Sequence, residues 1–72
     1  MGREARRLIE DAVGRLPVPY RSVFMLSDIE GYNNARICTA LGLSLPAVKS
    51  RLHRARVFLR QMLSPHFAEA RA

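Results

Sequence analysis

Six polar and basic side chains between residues 49 and 56 are the part of this chain best suited to chemistry with an anion. They are Lys49, Ser50, Arg51, His53, Arg54 and Arg56. Binding a polyanion requires several cations on one surface, because each neutralised phosphate adds to the affinity. Residues 44–72 hold six basic residues against one acidic residue, and the whole chain has a formal net charge of +6. The basic charge is therefore concentrated in one segment, which favours a polyanionic partner.

Other kinds of chemistry find little support in the sequence. Asp28 and Glu30 could act as acid and base, but no nucleophile, glycine-rich phosphate loop or complementary base accompanies them. We therefore expect no enzymatic activity. No histidine or cysteine stands at zinc-ligand spacing, so we expect no metal and no cofactor.

The compartment is suggested by cysteine usage and hydropathy. The single cysteine, Cys38, excludes an intrachain disulfide, is compatible with a reducing environment and is expected to be a small buried side chain. No apolar run reaches the length of a membrane span, and no apolar signal core follows Met1. The sequence therefore predicts a soluble, cytoplasmic protein without a membrane partner.

A turn followed by a long helix must position the basic cluster. Gly42 can adopt the left-handed conformation that ends a helix, Ser44 can cap the next one, and Pro46 suits its first turn. Apolar residues then recur at helical spacing as Leu45, Val48, Leu52, Ala55, Leu59 and Leu63. At about 100° per residue, Ser50, His53 and Arg54 lie opposite this stripe, and Lys49, Arg51 and Arg56 lie on its flanks. The segment therefore predicts the turn and recognition helix of a helix-turn-helix.

Three shorter helices are predicted before it. The first contains the apolar residues from Ala5 to Leu16 and ends at Pro17, and the second begins near Pro19 or Tyr20 and ends before Gly31. The third is capped by Asn33 or Asn34 and runs through Leu41.

The long helix should run from Leu45 to about Leu63 and end before Pro65. Residues 1–72 then form a single all-α, four-helix domain, with the helix-turn-helix at about residues 33–63 and a tail at residues 64–72. We expect four apolar residues of the third and fourth helices to be in contact: Ile37, Leu41, Val48 and Leu52.

Several sequence runs together resemble a known family. The runs are Leu16-Pro17, Tyr20–Leu26, Ile29-Glu30-Gly31, Leu41–Ser44 and Val48–Arg56. Over residues 8–63 they are similar to region 4 of bacterial sigma-70-family factors, and most of all to the extracytoplasmic-function (ECF) group. The resemblance implies a helix-turn-helix of the winged-helix-like, sigma region 4 type. Its function would be to recognise the −35 promoter element and bring RNA polymerase to promoters for transcription initiation.

The resemblance also implies roles for individual residues. Base-reading and nearby backbone contacts would fall on Lys49, Ser50, His53 and Arg54. From their place on the flanks of the helix, we expect Arg51 and Arg56 mainly to hold phosphates. The partners would be duplex promoter DNA, the flap of the polymerase β subunit and an anti-sigma factor. Part of the surface formed by Val23, Phe24 and Leu26 would face the polymerase. Because region 2 of the family is absent, we expect an excised or separately encoded region 4.

Two departures from the family pattern concern phosphate binding. Many members have Ser-Tyr-Glu-Glu-Ile-Ala where this chain has Asn33–Cys38, and many have a basic residue in place of Ser27. Asn33 and Arg36, at a helix N-terminus, could supply substitute DNA contacts.

Two other functions remain open: a response-regulator output domain, and a protein-interaction module that acts as a sigma mimic or anti-sigma target.

Overall fold

Four α-helices account for most of the chain. The computed structural model describes the backbone of residues 2–71 and the side chains of residues 2–65. The helices are α1 (Arg3–Arg15), α2 (Val18–Phe24), α3 (Asn34–Leu41) and α4 (Leu45–Arg71). No strand occurs within residues 2–71, so the predicted all-helical class is confirmed and the helix-turn-helix carries no wing there.

Two prolines and one arginine control the passage from α1 to α2. Leu16 and Pro17 are extended, which ends α1, and α2 begins at Val18, slightly earlier than predicted, with Pro19 in its first turn. The Nη1 atom of Arg21 donates a hydrogen bond to the carbonyl oxygen of Gly14 at 3.2 Å. This bond places a cation at the carboxyl end of α1, where the helix dipole favours it.

A π-helical turn at Met25–Ile29 continues α2. The amide of Glu30 donates to the carbonyl of Met25 at 2.9 Å, five residues earlier, which is the π pattern. Gly31 then has φ +77°, and the amide of Tyr32 donates to the carbonyl of Leu26 at 2.8 Å. The predicted end of the second helix before Gly31 is confirmed, but its last turn is wound more widely than an α-helix.

The helix-turn-helix consists of α3, the turn at Gly42 and α4. The side chain of Asn33 caps α3 by accepting a hydrogen bond from the amide of Arg36 at 2.8 Å. Gly42 has φ +65° and ψ +39°, and the hydroxyl of Ser44 accepts from the amide of Ala47 at 3.3 Å. The capping roles predicted for Asn33, Gly42 and Ser44 are thus confirmed.

The predicted end of the last helix near Leu63 is wrong, because α4 continues through Pro65 to Arg71. Proline lacks the amide that would bond the carbonyl of Gln61, and both Gln61 and Pro65 are exposed residues of α4. Residues 66–72, which follow, include three alanines, one glutamate and one arginine, all of which favour helix. The predicted tail is therefore helical as far as Arg71, and Ala72 lies outside the described residues.

The core has two clusters that share α2 and α4. The first cluster joins α1, α2 and α4 through Ala12, Val13, Leu16, Phe24, Ala55 and Leu59. The second cluster joins α2, α3 and α4 through Val23, Ile37, Val48 and Leu52. Cys38 is half-buried against the second cluster.

Two leucines predicted to be apolar contacts of the core are exposed instead. Leu41 is 37% exposed and Leu45 is 44% exposed. Both lie beside the turn at Gly42, outside the two core clusters. The predicted contact of Ile37 with Val48 and Leu52 is confirmed, whereas Leu41 does not belong to that cluster.

Replacing Gly42 with alanine is expected to destabilise the protein by about 1–2 kcal/mol. No atom lies within 4 Å of a Cβ built at this position, so the cost is that of holding an L-residue at positive φ. Gly14, inside α1 and equally open, is the matched control, and Gly14→Ala should stabilise by about 0.5–1 kcal/mol. Thermal unfolding of both variants measures the difference, and shifts of the same sign would contradict the role given to Gly42.

Candidate nucleic-acid interface

The outward face of the first turns of α4 carries the residues predicted to read DNA. Lys49, Ser50, His53 and Arg54 are all exposed, while Val48 and Leu52 on the opposite side are buried. This separation follows from the helical repeat of 3.6 residues. Four polar side chains therefore lie on one side of a helix whose other side is anchored in the core.

Arg51 and Arg56 flank this face but differ in their surroundings. Arg51 is half-buried and has no carboxylate partner among the described side chains. Arg56 pairs with Asp28 of the π turn: Nη2 lies 2.8 Å from Oδ1, and Nε lies 3.3 Å from Oδ2. Both oxygens of the carboxylate are thus bonded to one guanidinium, the geometry that gives the strongest arginine pairs.

The pair changes the ionisation of the acid. The hydrogen bond from Arg56 lowers the pKa of Asp28, an effect that partial burial opposes and the neighbouring Ser27 side chain supports. A carboxyl pKa that is lower in the folded protein adds stability above its unfolded value, near 4. That contribution is lost as the pH falls through the lowered pKa, so the pair is fully formed at neutral pH.

A groove runs between the π turn, the start of α3 and α4. It encloses about 330 Å³ and is lined by Ser27, Asn34, Lys49, Leu52, His53, Arg56 and Arg60. We call it the basic groove. It contains Ser27 and Asn34, two of the positions at which the sequence departs from the pattern that the resemblance implies. The structure therefore brings both departures beside the recognition helix.

A further basic residue near the interface, Arg36, lies at the start of α3. The guanidinium carbon of Arg36 lies 3.8 Å from the centroid of the Tyr32 ring, a cation–π contact. The backbone N–H of Arg36 donates a hydrogen bond to the side-chain oxygen of Asn33, so this oxygen already accepts one bond within the protein. Arg36 is exposed, and its stacking on Tyr32 limits its rotamers.

A further groove lies beside the exposed row Lys49, Ser50, His53 and Arg54, which we call the recognition face. Tyr20, His53, Arg54, Val57, Phe58 and Gln61 line it. The rings of Tyr20 and Phe58 are 5.7 Å apart between centroids. This contact ties α2 to α4 beside Arg54 and limits how far the two helices can separate.

The sequence did not predict the contacts that Asp28, Arg60 and Tyr32 make at this site. Asp28 was considered only as an acid, and its arginine partner is 28 residues away. Arg60 follows Arg56 by one helical turn, a spacing that could have placed it on the same side of α4. Tyr32 precedes Arg36 by four residues but lies outside α3, so helical spacing does not apply to it.

Metal chemistry and membrane insertion gain no support from the described residues. They contain no group of three side chains of the metal-binding types placed to hold an ion. None of the helices they form combines the length and the apolar character needed to cross a bilayer.

Comparison with known proteins relates the chain to transcription factors. Residues 6–59 match the family model described as "Sigma-70, region 4". The ECF RNA polymerase sigma factor SigE of Mycolicibacterium smegmatis is 39% identical over 61 residues, which is 85% of this chain and 24% of SigE. RNA polymerase sigma factor SigZ of Bacillus subtilis is 36% identical over 61 residues, 85% of this chain and 35% of SigZ.

A third relative is similar over a longer stretch. The RNA polymerase sigma-E factor of Streptomyces antibioticus is 40% identical over 67 residues, which is 93% of this chain and 37% of the relative. The chain thus spans between about a quarter and two fifths of the length of these relatives.

Proposed function

The chain belongs to the sigma-70 region 4 family, and we propose that it recognises the −35 element of promoters as region 4 of an ECF-type sigma factor. In this role α4 enters the major groove and the chain brings RNA polymerase to specific promoters. The observation that carries the proposal is the exposed row Lys49, Ser50, His53 and Arg54 on a helix whose opposite side is buried.

Base reading falls to this row. A major groove about 12 Å wide admits an α-helix, and side chains of its first turns reach base edges. Arg54 can bond two acceptors of a guanine, and Lys49 can bond one or two. Ser50 and His53 complete the face as smaller hydrogen-bonding groups.

Phosphate contacts surround the row. Arg51 lies on one flank of α4, and Asn33 and Arg36 lie at the N-terminus of α3, where free amides and the helix dipole favour anions. Arg36 takes the place of an acidic residue of the family pattern and so adds a cation at this helix end. Arg56 lies on the opposite flank of α4 from Arg51 and is bound to Asp28.

The polymerase flap is the proposed protein partner, and its binding requires an exposed apolar surface on this chain. Val23 and Phe24 are buried, so they cannot supply the surface that the resemblance assigned to them. A shallow groove lined by Arg21, Ser22, Met25, Leu26 and Leu41 is available instead. We assign the flap to this groove, which also gives the exposed Leu41 a partner. An anti-sigma factor is a further proposed partner, and the cytoplasm is the proposed compartment.

A DNA titration at several salt concentrations tests the proposal. The chain should bind a duplex carrying its −35 sequence more tightly than a scrambled duplex, and the log–log salt slope should be about −0.9 per neutralised phosphate. Candidate sequences come from a selection on randomised duplexes. Binding that is insensitive to salt, with no sequence preference, would instead favour the protein-interaction module.

A further inference from the structure

We propose that Asp28 is a positioning residue for DNA binding: through its pair with Arg56 it fixes the π turn against α4 and sets the shape of the basic groove. Arg56 then acts as a strut between two elements and is not one of the residues that bind phosphate. This inference rests on the proposed function and revises the phosphate-binding role expected for Arg56 from the sequence.

The π turn needs such a tie because it adds little to the core. None of Met25–Ile29 is fully buried, and Ile29 is 56% exposed. Leu26 is half-buried and packs against the second core cluster. The pair of Asp28 with Arg56 is the one salt bridge among the described side chains, and it joins the π turn to α4 across 28 residues of sequence.

One member of the pair, Arg56, forms part of the wall of the basic groove. Arg56 lines the groove together with Ser27, which precedes Asp28, and with Asn34 at the start of α3. A shift of the π turn away from α4 would therefore move Ser27 relative to Lys49 and His53. The shape that a DNA backbone meets beside the recognition helix depends on this contact.

The electrostatics argue against Arg56 as a phosphate ligand. Its Nε and Nη2 atoms both donate to the carboxylate, which compensates the charge of the guanidinium. A phosphate would have to displace two charge-assisted hydrogen bonds to obtain the same donors. Arg60 lines the same groove without a carboxylate partner among the described side chains, so it offers a phosphate uncompensated charge.

The salt dependence of DNA binding distinguishes a strut from a phosphate ligand. Arg56→Ala should lower affinity about two- to fivefold, the range of an exposed ion pair, and leave the log–log salt slope unchanged. Arg60→Ala, which removes the same charge from the same groove, is the matched control and should reduce the slope by about 0.9. A slope that falls equally in both variants would overturn the proposal.

A charge exchange tests the pair directly. The double variant Asp28→Arg with Arg56→Asp keeps the net charge and re-forms the bridge in the opposite orientation, so affinity and slope should return to within about twofold of the parent. If Arg56 binds phosphate, the exchange leaves an aspartate in its place and affinity stays low. Asp28→Asn should weaken binding relative to Glu30→Gln, which controls for the loss of a negative charge nearby. Tighter binding by Asp28→Asn than by Glu30→Gln would contradict the strut.

The free protein supplies a readout that does not need DNA. Thermal unfolding of Asp28→Ala, Arg56→Ala and the combined variant should show that the two effects are not additive, because both remove one interaction. Additive effects would show that the pair does not hold the π turn, whatever the DNA titration gives. A parent protein without salt-dependent DNA binding would contradict the proposed function, and the unfolding cycle would still decide whether the tie exists.

Discussion

Replacing Leu52 with alanine is expected to lower the free energy of unfolding by about 2–5 kcal/mol. Leu52 is 5% exposed and packs with Val23, Ile37 and Val48 where α2, α3 and α4 meet. The truncation removes buried apolar surface and leaves a cavity that neighbouring helices can fill only in part. The free energy of unfolding of a domain of this size is about 4–11 kcal/mol in total, so the variant should lose a large fraction of it.

The same helix offers a matched control for this substitution. Leu45→Ala removes the same atoms from a side chain that is 44% exposed, and should change stability by less than about 1 kcal/mol. Thermal or denaturant unfolding of both variants measures the contrast. Equal midpoints for Leu52→Ala and the parent would show that the packing described for the second core cluster is wrong.

Replacing Arg54 with alanine is expected to cost about 1–3 kcal/mol of binding to the preferred −35 duplex and to relax discrimination at one base pair. Arg54 is exposed on the recognition face, and a guanidinium that bonds two acceptors of one base loses both on truncation. The effect should appear mainly on the preferred sequence, because duplexes with another base at that position never made the contact.

Competition titrations against single-base variants of the duplex measure this loss. Arg51→Ala is the control, since a phosphate anchor should weaken every duplex by the same factor. If Arg54→Ala also lowers all affinities by one common factor, Arg54 is a phosphate anchor and not a base reader. Thermal unfolding of both variants checks that neither change acts through stability.

The helix-turn-helix was predictable because its signals are local. Asn33, Gly42 and Ser44 each act within four residues of their own position, through a cap or a left-handed turn. The apolar repeat of α4 likewise predicted which side is buried, from Val48 to Leu59. The four polar residues of the recognition face follow from the same repeat.

Features that depend on tertiary contacts were not predictable in this way. Leu41 and Leu45 continue the apolar pattern, but helical spacing alone does not show that residues beside the Gly42 turn lie outside both core clusters. Arg56 pairs with Asp28, which lies in the π turn Met25–Ile29. The sequence pattern did not predict this turn, so it could not predict the pair. The continuation of α4 past Pro65 runs against the general rule that a proline inside a helix removes one hydrogen bond and clashes with the carbonyl four residues earlier.

The division of the core into two clusters has a consequence for how the molecule opens. Val23 and Phe24 are adjacent in α2, yet Val23 belongs to the second cluster and Phe24 to the first. Local unfolding follows such packed units, so amide protection in native-state hydrogen exchange should fall into two groups. When α1 detaches, the first cluster becomes exposed, whereas α3 and the start of α4 remain packed in the second cluster. The recognition surface can therefore persist through a partial opening that frees the amino-terminal helix.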